Sequence, residues 1–146
     1  MNKIRKRVQD IVKEYGSAEP DEICEKMGII ILSRDLPESV NGFAMQCRGR
    51  WFIVLNSMLD HYGKRFTSAH ELGHIIMHGC TNSLSLSLNT YFCMSKYERE
   101  ADMFAAWLLL TAEEYDRCCD ECGTITVQQA LRIAHIPEDK ADELFF

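Results

Sequence analysis

The sequence predicts an α+β domain in which helices pack on a small β-sheet. Three observations carry this. Apolar residues recur at helical spacing near the N-terminus and again in two long segments from residue 66 onward. Between these lie short β-branched and aromatic runs separated by turn residues. The chain has 146 residues, 47% of them hydrophobic, enough to bury one core without help from disulfides. We therefore read 1–146 as a single domain, with N-terminal helices over about 1–28, a core over about 29–123 and a C-terminal helical subdomain over about 124–146.

Ile4, Val8, Ile11, Val12 and Tyr15 follow a helical repeat that Gly16 can close, and Lys3, Arg5, Lys6 and Arg7 give that helix a basic, solvated start. Pro20 to Met27 reads as a second short helix ended by Gly28. Ile29 to Leu32 is a short apolar strand, and residues 41–47 and 51–56 pair as a hairpin around Arg48-Gly49-Arg50. Phe66, Ala69, Leu72, Gly73, Ile75, Ile76 and Met77 then mark a helix buried on most sides, with Gly79 placed to end it. Ser83 to Leu88 alternates Ser with Leu, and we read it as a connecting segment that covers core with its leucines. Glu98 to Leu110 is a second strongly apolar helix. Residues 126–134 and 138–146 read as two short helices around His135-Ile136-Pro137, a packing or partner-docking subdomain. Glu138, Asp139, Asp142 and Glu143 stand against Lys140 alone there, the wrong charge for a DNA-reading helix.

The helix around residue 70 carries His70-Glu71-Leu72-Gly73-His74. Positions four apart are neighbours on a helix, so both imidazoles can share one Zn²⁺, with Glu71 projecting roughly 100° round beside them. A zinc with three protein ligands keeps a fourth position for water and lowers its pKa to roughly 7. Glu71 is then the general base that accepts the water's proton and passes it to a leaving amine. For the third ligand we take Glu98, which falls with Asp102 on the flank of the Ala101, Ala105, Leu108 face. Glu100, nearly opposite, is the fallback. Asp102, one turn on, is placed to accept the free ring N–H of a ligating histidine, and His78 lies near the site without being a ligand. A competing reading makes Ser95-Lys96-Tyr97-Glu98 a capping box that starts the helix. For a group that stabilises the oxyanion, Tyr91, Tyr97, His61 and Arg99 all remain open.

The run Phe66-Thr67-Ser68-Ala69-His70-Glu71-Leu72-Gly73-His74, then His78, then Glu98-x-x-Ala101-Asp102-x-Phe104-Ala105-Ala106-x-Leu108-Leu109 resembles the ImmA/IrrE family of zinc metallopeptidases. Gly28-Ile29-Ile30-Ile31 and the hairpin around Gly42-Phe43-Ala44 and Trp51 to Asn56 extend the resemblance toward the N-terminus. It implies a zincin-like, gluzincin-type metallopeptidase domain working inside the cell on helix-turn-helix repressors of mobile elements or stress regulons. In peptidases of this architecture a substrate lies extended along an edge strand, and the 51–56 strand or its hairpin partner is the candidate platform. One departure is visible: the family commonly has Pro after its Leu-Leu-Met run, whereas Leu108-Leu109-Leu110 is followed by Thr111, which with Glu114 offers a capping box.

Several classes are disfavoured. No apolar run reaches the roughly 18 residues of a membrane span, and the basic start leads into an amphipathic repeat, which we read as a cytoplasmic protein. A net charge of −6 argues against gripping nucleic acid through its phosphates. Seven cysteines, an odd number without framework spacing, read as reduced thiols. Cys118, Cys119 and Cys122 lack the second ligand pair that a structural zinc would need. The expectation is a zinc endopeptidase acting on a protein substrate. The alternatives are a non-catalytic anti-repressor with a structural zinc, or a toxin component of a toxin–antitoxin pair.

Overall fold

The computed structural model describes residues 3–79 and 91–110. The expectations for Ser83 to Leu88, for the Thr111 and Glu114 cap, for Cys118, Cys119 and Cys122 and for the helices of 124–146 lie outside the described residues, as does the side chain of Tyr91.

Among the described residues, four helices pack on a three-stranded mixed sheet. In chain order the elements are α1 (Lys3–Tyr15), α2 (Pro20–Met27), β1 (Ile30–Arg34), β2 (Gly42–Cys47), β3 (Arg50–Asn56), α3 (His61–His78) and α4 (Tyr91–Leu109). The sheet order is β1-β3-β2, with β1 parallel and β2 antiparallel to β3. Ile31, Ile53 and Ala44 stand in register across it, so their side chains share one face. That face meets the helices. Ile53 and Leu55 join Leu72, Phe104, Leu108, Ile23 and Ile11 in one buried cluster, with α3 against β2 and β3, and α4 against α3 and α1.

The helix ends follow the residues that were read as stops. Gly16 and Gly28 both take positive φ, and Lys26 Nζ donates to the Tyr15 carbonyl 2.5 Å away, a cation at the negative end of α1. Arg65 on α3 forks onto Glu19 at the start of α2, with Nε and a terminal nitrogen 3.2 and 2.8 Å from its two oxygens. Arg5 lies over the ring of Trp107 at 4.7 Å, tying α1 to α4. Burial, reinforced by Asp21, pushes the Cys24 thiol up to about 12, so it packs as a small apolar group.

Several boundaries differ from the expectation, most by a single residue. β1 runs on to Arg34, because pairing with β3 continues through Asn56 and outvotes the polar residues Ser33 and Arg34. The hairpin turn is two residues, Arg48 and Gly49 at φ 52° and 78°, and Arg50 belongs to β3. Two successive positive φ values match the strand twist, which offsets the roughly 1–2 kcal/mol that a left-handed conformation costs Arg48. α4 begins at Tyr91, a full turn before Ser95, so Ser95 is inside the helix and the capping-box reading of Glu98 fails. The start of α3 had not been read at all; Asp60 caps it, its Oδ1 accepting from the Gly63 N–H at 2.7 Å.

Loop 35–41 is fastened by Asn56, only 3% exposed. Its Nδ2 donates toward the carbonyls of Leu36, Pro37 and Val40 at 3.2, 3.2 and 2.9 Å, and its Oδ1 accepts from the Met58 N–H at 3.1 Å. Ser57 Oγ donates to Asp35 across the same loop at 2.5 Å.

α3 packs tightly on α4 at Gly73. A Cβ there would meet Cβ, Cγ and Cδ1 of the fully buried Phe104 at 3.0 Å each. Ala gains roughly 1 kcal/mol over Gly in a helix interior, while overpacking typically costs about 1–3 kcal/mol. With a buried ring as the obstacle, the second term dominates. Gly73→Ala is expected to lower the unfolding free energy by on the order of 1 kcal/mol in a denaturant titration, and an unchanged or raised midpoint would show that Phe104 yields.

Candidate metal centre

α3 supplies the histidines and Glu71, and α4 supplies Glu98 and Asp102. His70 and His74, one turn apart, present their rings at 4.9 Å between centroids and 82° between planes. Glu98 reaches across from α4 and touches both: Oε2 lies 3.0 Å from His70 Nε2, and Oε1 lies 3.0 Å from His74 Nε2. One ligand atom from each of His70, His74 and Glu98 falls within 4.8 Å of the others, a spacing that fits a single cation. Two imidazole nitrogens and one carboxylate form a donor set suited to zinc with a position left open.

Behind this group, Asp102 is buried and accepts the His70 Nδ1–H at 2.8 Å. That leaves Nε2 facing Glu98, the orientation a metal ligand requires. His78 sits one further turn along α3, its Nδ1 2.9 Å from Nδ1 of His74 and its ring 4.3 Å from the ring of Tyr97. Glu71, also buried, accepts a hydrogen bond from the backbone N–H of Ala44 on β2.

The electrostatics follow from this crowding. Burial opposes a charged His70, but the hydrogen bonds to Asp102 and Glu98, with the charge of Glu71, outweigh it and push the imidazole up to about 10. Burial also acts against the Glu98 carboxylate, yet hydrogen bonds from His70 and His74 hold it well below the usual range. Glu71 moves the other way: burial raises it, and the neighbouring histidines recover only part of that shift. Burial, then the charge of His74, press His78 down to about 4, which keeps it neutral.

The structure therefore brings together His70, His74 and Glu98, with Asp102 and His78 at their outer nitrogens and Glu71 alongside. Glu100, the fallback ligand, is not in the group. Tyr97 spends its ring on His78. His61 begins α3 and so lies about 14 Å up the axis from His70 at 1.5 Å per residue, out of reach of a reacting carbonyl. Two contributors were missed in the sequence. Ala44 acts through its main-chain N–H, which residue type does not reveal. Gly73 could have been read as a close helix contact from its place between the two apolar runs.

Helices on a small mixed sheet, presenting two imidazoles and a carboxylate to one point beside a buried glutamate, define a metallopeptidase-type domain. The profile of the IrrE N-terminal-like domain, a peptidase family, matches residues 24–134. The chain is 33% identical over 141 residues to metallopeptidase ImmA of Bacillus subtilis (strain 168), covering 95% of this chain and 82% of that protein. It is 34% identical over 107 residues to uncharacterized immunity region protein 2 of Bacillus phage phi105, covering 73% of this chain and 68% of that one. The chain belongs to the IrrE N-terminal-like metallopeptidase family.

In protein stripped of metal, His70 should hold its proton well above neutrality. Asp102→Ala removes the principal acceptor and leaves burial to act, so the His70 midpoint is expected to fall by more than one unit in an NMR titration of the imidazole C–H signals. An unmoved midpoint would show that Asp102 does not hold Nδ1.

Proposed function

We propose that this chain is a zinc-dependent endopeptidase that cleaves a protein substrate. The observation carrying this reading is the convergence of His70, His74 and Glu98 ligand atoms within 4.8 Å, with Glu71 buried beside them. When bound, zinc supplies Lewis acidity that polarises the scissile carbonyl and acidifies water.

The chain's own residues do the rest. His70 and His74 offer Nε2 and Glu98 its carboxylate as ligands, while Asp102 fixes the His70 ring. Glu71, whose proton affinity is raised by burial, takes the proton of the attacking water and hands it to the departing amine. Its hydrogen bond from Ala44 holds the carboxylate against β2.

β3 is central in the sheet and β2 is an edge among the described strands, so of the two candidate platforms the hairpin partner is the one available for pairing. An extended peptide laid along β2 would run past Glu71 with its backbone hydrogen-bonded to the edge, giving affinity with little dependence on sequence. Likeness to a metallopeptidase and to a phage immunity region protein points to a helix-turn-helix repressor of a mobile element as substrate. A net charge of −6 suits a partner that is basic near its DNA-binding part, at low salt above all. No helix among the described residues is long and apolar enough to cross a membrane, in keeping with a substrate met in the cytoplasm.

The test is incubation of purified, zinc-loaded chain with candidate helix-turn-helix repressors, followed by mass spectrometry of the products. Glu71→Gln is expected to keep its metal and lose about 10²–10⁴-fold in cleavage rate. Glu98→Ala should lose most of its zinc while remaining folded by circular dichroism. A Glu71→Gln protein that still relieves repression without cleaving would favour a binding module instead, and undiminished cleavage would remove Glu71 from its role.

A further inference from the structure

His78 is used by nothing in the mechanism above, yet it is placed with care. Its Nδ1 lies 2.9 Å from Nδ1 of His74, and its ring is half-buried between α3 and the ring of Tyr97 on α4. Two ring nitrogens at that distance share one proton: one donates and the other accepts. A histidine that offers Nε2 to a metal must carry its remaining proton on Nδ1. His74 is then the donor, and His78 must be the neutral tautomer protonated on Nε2, with its Nδ1 lone pair turned to His74.

We propose that His78 is a positioning residue that selects the metal-binding tautomer of His74, as Asp102 does for His70. The assignment rests on the zinc reading given above. The two outer partners differ in kind. Asp102 is a buried carboxylate that makes His70 the more basic ligand, whereas His78 is a neutral acceptor that orients His74 without adding negative charge. Tyr97, adjacent to Glu98 in sequence, holds the His78 ring, so one turn of α4 supplies both a ligand and the support for a ligand's orienting group.

Asn places its amide oxygen close to where His carries Nδ1, whereas Phe keeps a ring against Tyr97 but has no acceptor. Zinc affinity is measured for the full chain by competition with a chromophoric chelator, for wild type, His78→Phe and His78→Asn. The His74 ring nitrogens are followed in the loaded proteins by long-range ¹H–¹⁵N NMR. His78→Phe is expected to bind zinc about 10–100-fold more weakly and to lose the protected Nδ1–H signal of His74. His78→Asn should recover most of both. Wild-type affinity in a folded His78→Phe protein, with the His74 signal intact, would overturn the assignment while leaving the zinc site standing. Equal loss in both variants would also overturn it, since a ring that only fills space is not replaced by Asn. A wild-type chain that takes up no zinc would overturn the metal reading and this assignment together.

Discussion

The docking of α4 on α3 is the constraint on which the rest of the site depends. His70 and His74 lie on one helix and Glu98 and Asp102 on the other, so the Glu98, His70, His74 group is complete only when the helices meet. Their approach is set by Gly73 against Phe104, in the same turn of α3 as His74. A shift of α4 by one turn would move Asp102 toward the position of Glu98, since the two are spaced by that amount. Tight, fully buried packing at Phe104, Ala105 and Leu108 fixes the register and hence which carboxylate serves which nitrogen.

The cluster gathers three carboxylates around two imidazoles, a local excess of negative charge. His70 answers it by holding a proton, and the two imidazoles in turn keep Glu98 ionised. Metal and proton therefore compete for the same nitrogen. Burial raises the proton affinity of Glu71, and the neighbouring histidines and the Ala44 N–H take back part of that rise.

Much of this was legible in the residues, for identifiable reasons. The periods of α1, α2 and α3 showed because each buries a stripe, and Gly16, Gly28 and Gly79 close them where the chain needs a stop. The hairpin showed because Arg48-Gly49 interrupts two apolar runs. The placement of Glu98 over Glu100 followed from 100° per residue alone, and α4 sets the two on different faces. Strand order was not legible, because β2 and β3 look alike in composition and only the parallel pairing of β1 makes β3 central. The contact of Glu71 with Ala44 was hidden for the same reason: it belongs to an edge, and edges are a property of the assembled sheet. The start of α4 was misplaced since Ser95 satisfies a local capping pattern that the longer helix overrides.

Asn56 bears on how this molecule ages. Asparagine followed by serine is a sequence prone to deamidation, in which the next residue's backbone nitrogen attacks the side-chain amide. Here that nitrogen is engaged, donating to the Arg34 carbonyl at 2.8 Å, and the amide is held among three carbonyls of loop 35–41. The folded state thus shields the pair, and each excursion to the unfolded chain exposes it. An aspartate formed there would set a carboxylate against the same carbonyl oxygens, so a chain that has once been damaged closes loop 35–41 less well on its next folding. The loop is in this sense a chemical clock that runs only while the protein is unfolded.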